Sequence, residues 1–191
     1  MLAYPLTSEE LVDDVLADLD RVTEAVRSRF APLAPAQLAW QPDAASWGIG
    51  HCLVHLATLA ALYHGPLTAA LGRERSRGRA PRGRLRGTWF GRWFTRMNAP
   101  GARRMRTLGV LQPRPESVAD GSVALFLAEQ QRLRAVALEA RGLDLDAVRL
   151  ASPLSSWVRL TGGDALRTLA AHELRHLAQA ERVVAHPRFP G

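Results

Sequence analysis

The segment of residues 163–185 reads GDALRTLAAHELRHLAQAERVVA, and it decides the fold. Its apolar residues recur at intervals of three and four, which is the periodicity of an amphipathic helix. Pro187 follows the segment and ends the pattern, because proline cannot continue a helix. His172 and His176 are four residues apart on the apolar face. We therefore expect a core helix that points two imidazole rings inward.

Three further segments have helical periodicity, and no part of the sequence predicts a strand ladder. They cover residues 7–30, a segment that begins with Ser46 as its N-cap, and residues 120–141. Thr7 and Glu10 have the spacing of a capping box. Pro66 should kink or end the second helix, because a proline inside a helix removes a backbone hydrogen bond. Four such helices predict an all-α fold, most simply a four-helix bundle.

The chain has 191 residues, which predicts a single domain over residues 1–191. About 45 residues separate the second and third helices, whereas a usual helix–helix connection has about 2–8. We interpret residues 73–119 as a long basic and aromatic insertion and linker. So long a connection permits a crossover, and a simple up-down-up-down order need not hold.

Composition limits the cellular context. Apolar residues make up 47% of the chain, and no run approaches the ~18–20 uninterrupted apolar residues of a membrane helix. The N-terminal residues lack the pattern of a secretory signal. Cys52 is the single cysteine, so an internal disulfide is excluded and a reducing compartment is favoured. We expect a cytoplasmic protein.

The positive charge is concentrated in one segment. The chain carries a net +7, and residues 73–106 hold 12 arginines against one acid, Glu74, a local charge of +11. The remainder has 13 arginines against 17 acids and is therefore net −4. We expect a small-molecule substrate and a homodimer, with no specific nucleic acid and no membrane as partner.

Residues 89–97 of this insertion, WFGRWFTRM, have apolar residues at helical spacing, with Arg92 and Arg96 off that stripe. Such a helix could cover the mouth of the bundle, contact a second copy, hold an anionic ligand or thiol cofactor, or bind nucleic acid or a membrane. We favour a lid or a dimer contact. The aromatic side chains should then be largely buried against the bundle or a second copy.

Four of the six histidines form two pairs with i, i+4 spacing, His51/His55 and His172/His176. Imidazoles at this spacing lie on one face of a helix, about one turn apart. Two rings from one helix and one ring from another could form a three-nitrogen metal site with an open position. The alternative is a set of hydrogen-bonded core histidines that bind no metal.

The stretch from His172 to His176 also matches the H-E-x-x-H motif of zinc proteases. The extended form of that motif requires glycine and histidine where this chain has Gln179 and Arg182. Zinc proteases of this type also align their substrate along a strand, and no sheet is predicted. We interpret the protease match as accidental.

Three stretches together resemble the DinB-like superfamily, in its DinB-like 2 or DUF664-type branch. They are LAWQPDAASWGIGHCLVHL at residues 38–56, HELRHLAQAER at residues 172–182 and PRFP at residues 187–190. The resemblance implies a four-helix bundle with one divalent metal, usually zinc or nickel, held by three histidines. Those ligands correspond here to His55, His172 and His176.

Relatives of this kind include transferases and isomerases that use low-molecular-weight thiols such as bacillithiol or mycothiol. The resemblance thus implies a metal-dependent enzyme, a thiol S-transferase, isomerase or hydrolase acting on a small molecule. The alternative is a non-catalytic metal-binding or stress-related bundle protein.

No catalytic residue follows from the resemblance, but Gln179 and His51 are candidates. Gln179 lies one turn beyond His176 and could orient a ligand or a water, or simply make a polar contact in the bundle. His51 could support the ligands, act as an acid or base, or be a surface residue. Glu173 lies about 100° around the helix from His172, which makes it an indirect supporting residue at best or a solvated one.

Overall fold

The computed structural model describes residues 4–81, 83–102, 107–113, 118–119 and 121–191. The helices are α1 (Ser8–Ala25), α2 (Pro35–Ala39), α3 (Ile49–Ser76), α4 (Trp89–Asn98), α5 (Ser122–Glu139) and α6 (Gly162–Val184). A π-helical turn (Val26–Phe30) extends α1, and a 3-10 turn (Gly109–Leu111) precedes α5. Two strands, β1 (Arg149–Ser152) and β2 (Ser155–Thr161), lead into α6.

Four long helices form the body of the protein. Helices α1 and α3 each pack against both α5 and α6. Consecutive long helices α1 and α3 therefore lie on opposite sides of the arrangement, so the chain crosses over rather than visiting neighbours in turn. The mostly helical structure confirms the predicted all-α class.

The N-terminus of α1 is closed as its sequence predicts. The Thr7 side chain accepts a hydrogen bond from the backbone N–H of Glu10 at 3.1 Å, and the Glu10 carboxylate accepts from the backbone N–H of Thr7 at 2.7 Å. Two otherwise unpaired donors of the first turn are thus satisfied. From there the apolar face of α1 is buried against α5 and α6.

Helix α3 differs from its predicted limits at both ends. Its N-cap is Gly48, while the Ser46 side chain instead donates to Asp43. The prediction that Pro66 could end the helix is wrong, because α3 continues to Ser76. Leu67 and Leu71 on the following turns are fully buried. Their burial, ~1.5–3 kcal/mol each, offsets the ~3 kcal/mol cost of an internal proline.

The prediction that the chain forms no strand ladder is wrong. Strands β1 and β2 form an antiparallel hairpin in which Leu150 pairs with Leu160, and both side chains are buried. An irregularity between Ala151 and Ser152 breaks the register. With four and seven residues, the strands are too short for alternation to stand out from the surrounding helical pattern. The Tyr63 hydroxyl on α3 lies 3.0 Å from the Ser152 hydroxyl and ties the hairpin to the bundle.

Helix α4 lies along α6, with the N-terminal ends of the two helices close together. The Thr88 hydroxyl donates to Asp164 at 2.8 Å, and the hydroxyls of Thr95 and Thr168 are 2.9 Å apart. At the other end, the Arg175 guanidinium donates to the Met97 carbonyl at 2.9 Å. Helix α4 is thereby attached to α6 from its first turn to its last.

Within one chain only part of the aromatic face of α4 is buried, and its burial against a second copy stays a prediction. Phe90 and Phe94 pack against the core, but Trp89 is 74% exposed and Trp93 is 45% exposed. The small residues face α6 instead, since Gly91 and Thr95 are buried there. The close approach of two helices requires small side chains, which displaces the tryptophans to the outer face. Residues 82, 103–106 and 114–117 of the predicted insertion and linker lie outside the described residues.

Among the described helices, α3 is long and apolar enough to cross a membrane by length and composition. More than half of its most apolar window is buried against the rest of the protein. It contacts α5 and α6, as the central helix of a helical core does.

Candidate metal centre

Three histidine rings meet between α3 and α6. His55 lies on α3, and His172 and His176 lie on successive turns of α6. The ring centroids are 5.1 Å apart for His55 and His172, 4.7 Å for His55 and His176, and 4.5 Å for the α6 pair. One ring nitrogen from each histidine lies within 4.8 Å of the other two, so the group could hold a metal ion.

The distances suit one shared ion after small rotations of the rings. Ligand atoms at bonds of ~2.1 Å around a tetrahedral ion are about 3.4 Å apart. The closest pair, Nε2 of His55 and Nε2 of His172, is 2.9 Å apart, and no pair of ligand atoms exceeds 4.8 Å. Nε2 of His55 and Nε2 of His172 must therefore move apart, and any ligand atoms that are farther apart than this spacing must approach each other. Rotation of the histidine rings about χ2 supplies shifts of this size.

A backbone carbonyl fixes the proton on His55. Nδ1 of His55 lies 2.8 Å from the Leu111 carbonyl oxygen. Because a carbonyl can only accept, Nδ1 carries the proton and Nε2 of the neutral ring has a free lone pair. His55 thus presents Nε2 toward the two rings on α6, in the orientation that a metal ligand needs.

Burial keeps the three rings neutral. It lowers the pKa of His55, lowers that of His172 to about 3, and lowers that of His176 well below its usual range. The charge of Arg175 further lowers the pKa of both α6 histidines. Neutral imidazole is the form that binds a metal, so protons compete weakly for this site at neutral pH.

The donor set fits a transition metal. Nδ1 of His172 and Nδ1 of His176 are buried and find no hydrogen-bond partner among the described residues. Leaving such atoms unpaired costs ~1–3 kcal/mol each, which a site organised around a ligand can recover when that ligand binds. Three neutral imidazoles suit zinc, nickel and similar ions.

Trp47 forms one wall of the centre. Its ring lies 4.9 Å from that of His55 and 5.8 Å from that of His176, centroid to centroid. Gly48 follows it at the start of α3, where a Cβ atom would stand 2.1 Å from the Trp40 carbonyl oxygen. The glycine allows the chain to pass close to Trp40 and so places Trp47 over the histidines.

Gln179 and His51, the two candidate catalytic residues, have different surroundings. Gln179 lies close enough to His176 to oppose, in part, the lowering of the His176 pKa by burial. His51 is half-buried, and its Nδ1 accepts a hydrogen bond from the backbone N–H of Gly48 at 3.3 Å. His51 thus caps α3 and does not belong to the group of three rings.

Glu173 is buried, so the interpretation of a solvated Glu173 is wrong. The Gln130 side chain donates to its carboxylate at 2.7 Å and to the Leu19 carbonyl at 3.1 Å. Burial raises the pKa of Glu173 to about 8. At this position α6 faces the interior between α1 and α5, which the helical pattern of α6 alone did not reveal. Glu173 does not belong to the histidine group, as expected.

The Leu111 carbonyl contributes to this centre and was not predicted, because a backbone carbonyl has no signature in a sequence. Trp47 did have a signal, since it stands in the 38–56 stretch beside the histidines.

Comparison with known protein families matches residues 18–180 to the DinB superfamily. No curated protein matches the chain, and no solved structure matches it.

Proposed function

The chain belongs to the DinB superfamily, and on that basis we propose that it is a metal-dependent enzyme whose single divalent ion binds His55, His172 and His176. The observation that carries this proposal is the meeting of three neutral imidazoles between α3 and α6. No fourth histidine, cysteine or carboxylate joins the group within the described part of the chain. Three protein ligands leave a coordination position for water or substrate, as in catalytic zinc sites.

The reaction class follows from what such a centre supplies. A bound ion of the zinc type lowers the pKa of coordinated water to about 7 and deprotonates a coordinated thiol. The Arg175 charge, which acts on both α6 histidines, favours an anionic group beside them. Gln179 lies beside His176 on the next turn of α6, from which it could orient a polar ligand.

These features support a thiol-dependent S-transferase or isomerase that takes a low-molecular-weight thiol of the bacillithiol or mycothiol type. The ion is zinc or nickel, and the second substrate is a small electrophile. The same centre also suits a hydrolase that uses water in place of the thiol.

Metal analysis tests the ligand assignment. The protein is purified without a nickel column, and its metal content is measured by mass spectrometry for wild type, His172→Ala and His64→Ala. His64 is exposed on α3 and serves as the matched control. We expect one ion per chain in wild type and His64→Ala, and loss of the ion in His172→Ala. A metal-free wild type that takes up no added zinc or nickel would contradict the assignment.

Thiol consumption tests the reaction separately. Bacillithiol or mycothiol is incubated with an electrophilic aryl halide and the loaded protein, and free thiol is followed over time. We expect turnover that His172→Ala abolishes and His64→Ala retains. A protein that binds metal through the three histidines but consumes no thiol and hydrolyses no ester would indicate the non-catalytic alternative.

A further inference from the structure

The outer face of α4 presents two exposed tryptophans, of which Trp93 contacts the Phe90 ring of the same helix at 5.7 Å, centroid to centroid. Trp89 is 74% exposed and Trp93 is 45% exposed, and Arg96 is exposed one turn further on. These positions follow the i, i+4, i+7 spacing of one helical face. Large aromatic side chains clustered in water are uncommon on a protein without a binding partner.

The face is rigid, because the inner side of α4 is fixed to α6. Thr88 and Thr95 hydrogen-bond to Asp164 and Thr168, and Gly91 lies so close that an added Cβ would be 2.0 Å from the Asp164 carboxyl carbon. The helix therefore cannot rotate to bury its tryptophans in its own chain. It displays them.

The surroundings of the tryptophans are positively charged. The Arg92 guanidinium donates to the Arg86 carbonyl at 2.8 Å, which places both residues at the N-terminal end of α4. No acidic residue occurs in α4, and residues 73–106 carry +11 while the rest of the chain carries −4. The complementary partner is anionic.

A second copy of the chain does not fit this face. A two-fold interface brings the same patch of both copies together, so arginines would meet arginines. Like charges opposed in this way cost several kcal/mol and disfavour the contact. Single-stranded nucleic acid usually binds in a basic groove whose aromatic residues stack with the bases, whereas these tryptophans stand on the outside of a helix.

We propose that the outer face of α4 docks the protein on an anionic phospholipid surface. Trp89 and Trp93 lie at the level of the headgroups, and Arg86, Arg92 and Arg96 lie against the phosphates. This proposal departs from the sequence-based expectation of no membrane partner, because both tryptophans are exposed beside arginines. Because Arg175 donates to the Met97 carbonyl in the last turn of α4, docking would link the helix that carries His172 and His176 to the lipid surface through α4.

Vesicle cosedimentation of the full chain tests this proposal. Vesicles of phosphatidylglycerol and phosphatidylcholine in equal parts are compared with vesicles of phosphatidylcholine alone. We expect binding to the anionic vesicles at least about tenfold stronger than to the neutral ones, and weakening at about 0.5 M sodium chloride. A Trp89→Ala/Trp93→Ala double variant should lose most of this binding and keep its melting temperature, since both side chains are exposed.

Trp157→Ala is the matched control, because Trp157 is 93% exposed but lies on β2. It should bind anionic vesicles as wild type does. Equal binding to neutral and anionic vesicles, or full binding by the double variant, would overturn the proposal. The proposal would also be overturned if wild type were a dimer that the double variant converts to monomer. Tight binding of a labelled oligo-dT that the double variant loses, with no binding to vesicles, would overturn it as well.

Discussion

At the scale of single residues, the candidate centre depends on which nitrogen of each ring carries a proton. The Leu111 carbonyl holds the proton of His55 on Nδ1, and the free Nε2 then accepts from Nε2–H of His172 at 2.9 Å. A bound ion would replace that hydrogen bond. His172 would then either carry its proton on Nδ1 and bind through Nε2, or bind through Nδ1.

We expect Glu173 to contribute to stability and not to metal binding. Replacing it with alanine removes a buried side chain and leaves the Gln130 amide with one acceptor fewer. We expect Glu173→Ala to lower the free energy of unfolding by about 2–4 kcal/mol while metal content stays at the wild-type level. Urea unfolding and metal analysis measure the two effects. Stoichiometric loss of metal from a variant that is still folded would show that Glu173 belongs to the centre.

Cys52 should be chemically inert in the folded protein. Burial raises the pKa of its thiol to about 12, and the thiolate is the reactive form. Its thiolate is therefore scarce at every pH below about 11, unlike that of an exposed cysteine near its ordinary value of ~8.5. We expect iodoacetamide labelling at mildly alkaline pH to be slow in native protein and rapid in denaturant. Fast native labelling would mean that α3 opens readily at this position.

The residues of the centre were predictable to an unequal degree. His55, His172 and His176 stand out because their spacing and their place in apolar stripes can be read along the chain. The Leu111 carbonyl cannot be read in this way, since every residue has one and its role depends on where the connecting segment lies. The burial of Glu173 is also a property of the neighbours α1 and α5, not of α6 alone.

At the scale of elements, α4 determines how the insertion meets the bundle. Its contacts with α6 run from Thr88 on Asp164 to Met97 on Arg175. Gly91 is the position of closest approach, because any side chain there would overlap the Asp164 carboxylate. The element is thus held by a small-residue face rather than by its aromatic residues.

Gly91→Ala should dislodge α4. The added methyl group cannot be accommodated without moving Asp164, so we expect a loss of about 1–3 kcal/mol of stability and increased protease cleavage near α4. Gly72→Ala on α3 is the control, because a Cβ there meets no described atom within 4 Å. It should be neutral or stabilising by up to ~1 kcal/mol. Equal stability of the two variants would contradict the close packing of α4 on α6.

The four long helices and the segment of α4 were predictable, whereas the short strands were not. Helices α1, α3, α5 and α6 each repeat their apolar pattern over several turns, which a sequence displays clearly. The β1–β2 hairpin has no such length, and its pairing depends on Leu150 and Leu160 meeting the core. The cost of Pro66 to the helix could be read from the sequence. The burial of the following turns, which keeps α3 helical, could not.

At the scale of the whole molecule, the candidate centre joins two helices that are far apart in sequence. His55 and His172 are separated by 117 positions, and their rings meet because α3 and α6 pack side by side. An ion bound there would link the first half of the chain to the second. The homodimer expected from the sequence stays a prediction, for which light scattering in solution is the measurement.

Metal binding should therefore stabilise the fold. An ion that binds the folded state alone contributes about 4 kcal/mol at a free concentration a thousandfold above its Kd. We expect a chelator to lower the melting temperature of wild type and of His64→Ala, and to leave that of His172→Ala unchanged. The same melting temperature for loaded and stripped wild type would mean that the ion does not bridge α3 and α6.

X-ray absorption of the natively purified protein tests the central claim most directly, because it reports the ligands of the bound metal itself. We expect three imidazole nitrogens at about 2.0–2.1 Å and one exchangeable oxygen or sulfur ligand, with the imidazole signal lost in His55→Ala and retained in His64→Ala. A spectrum with fewer than two imidazoles, or with an ion held by oxygen ligands alone, would contradict a centre formed by His55, His172 and His176.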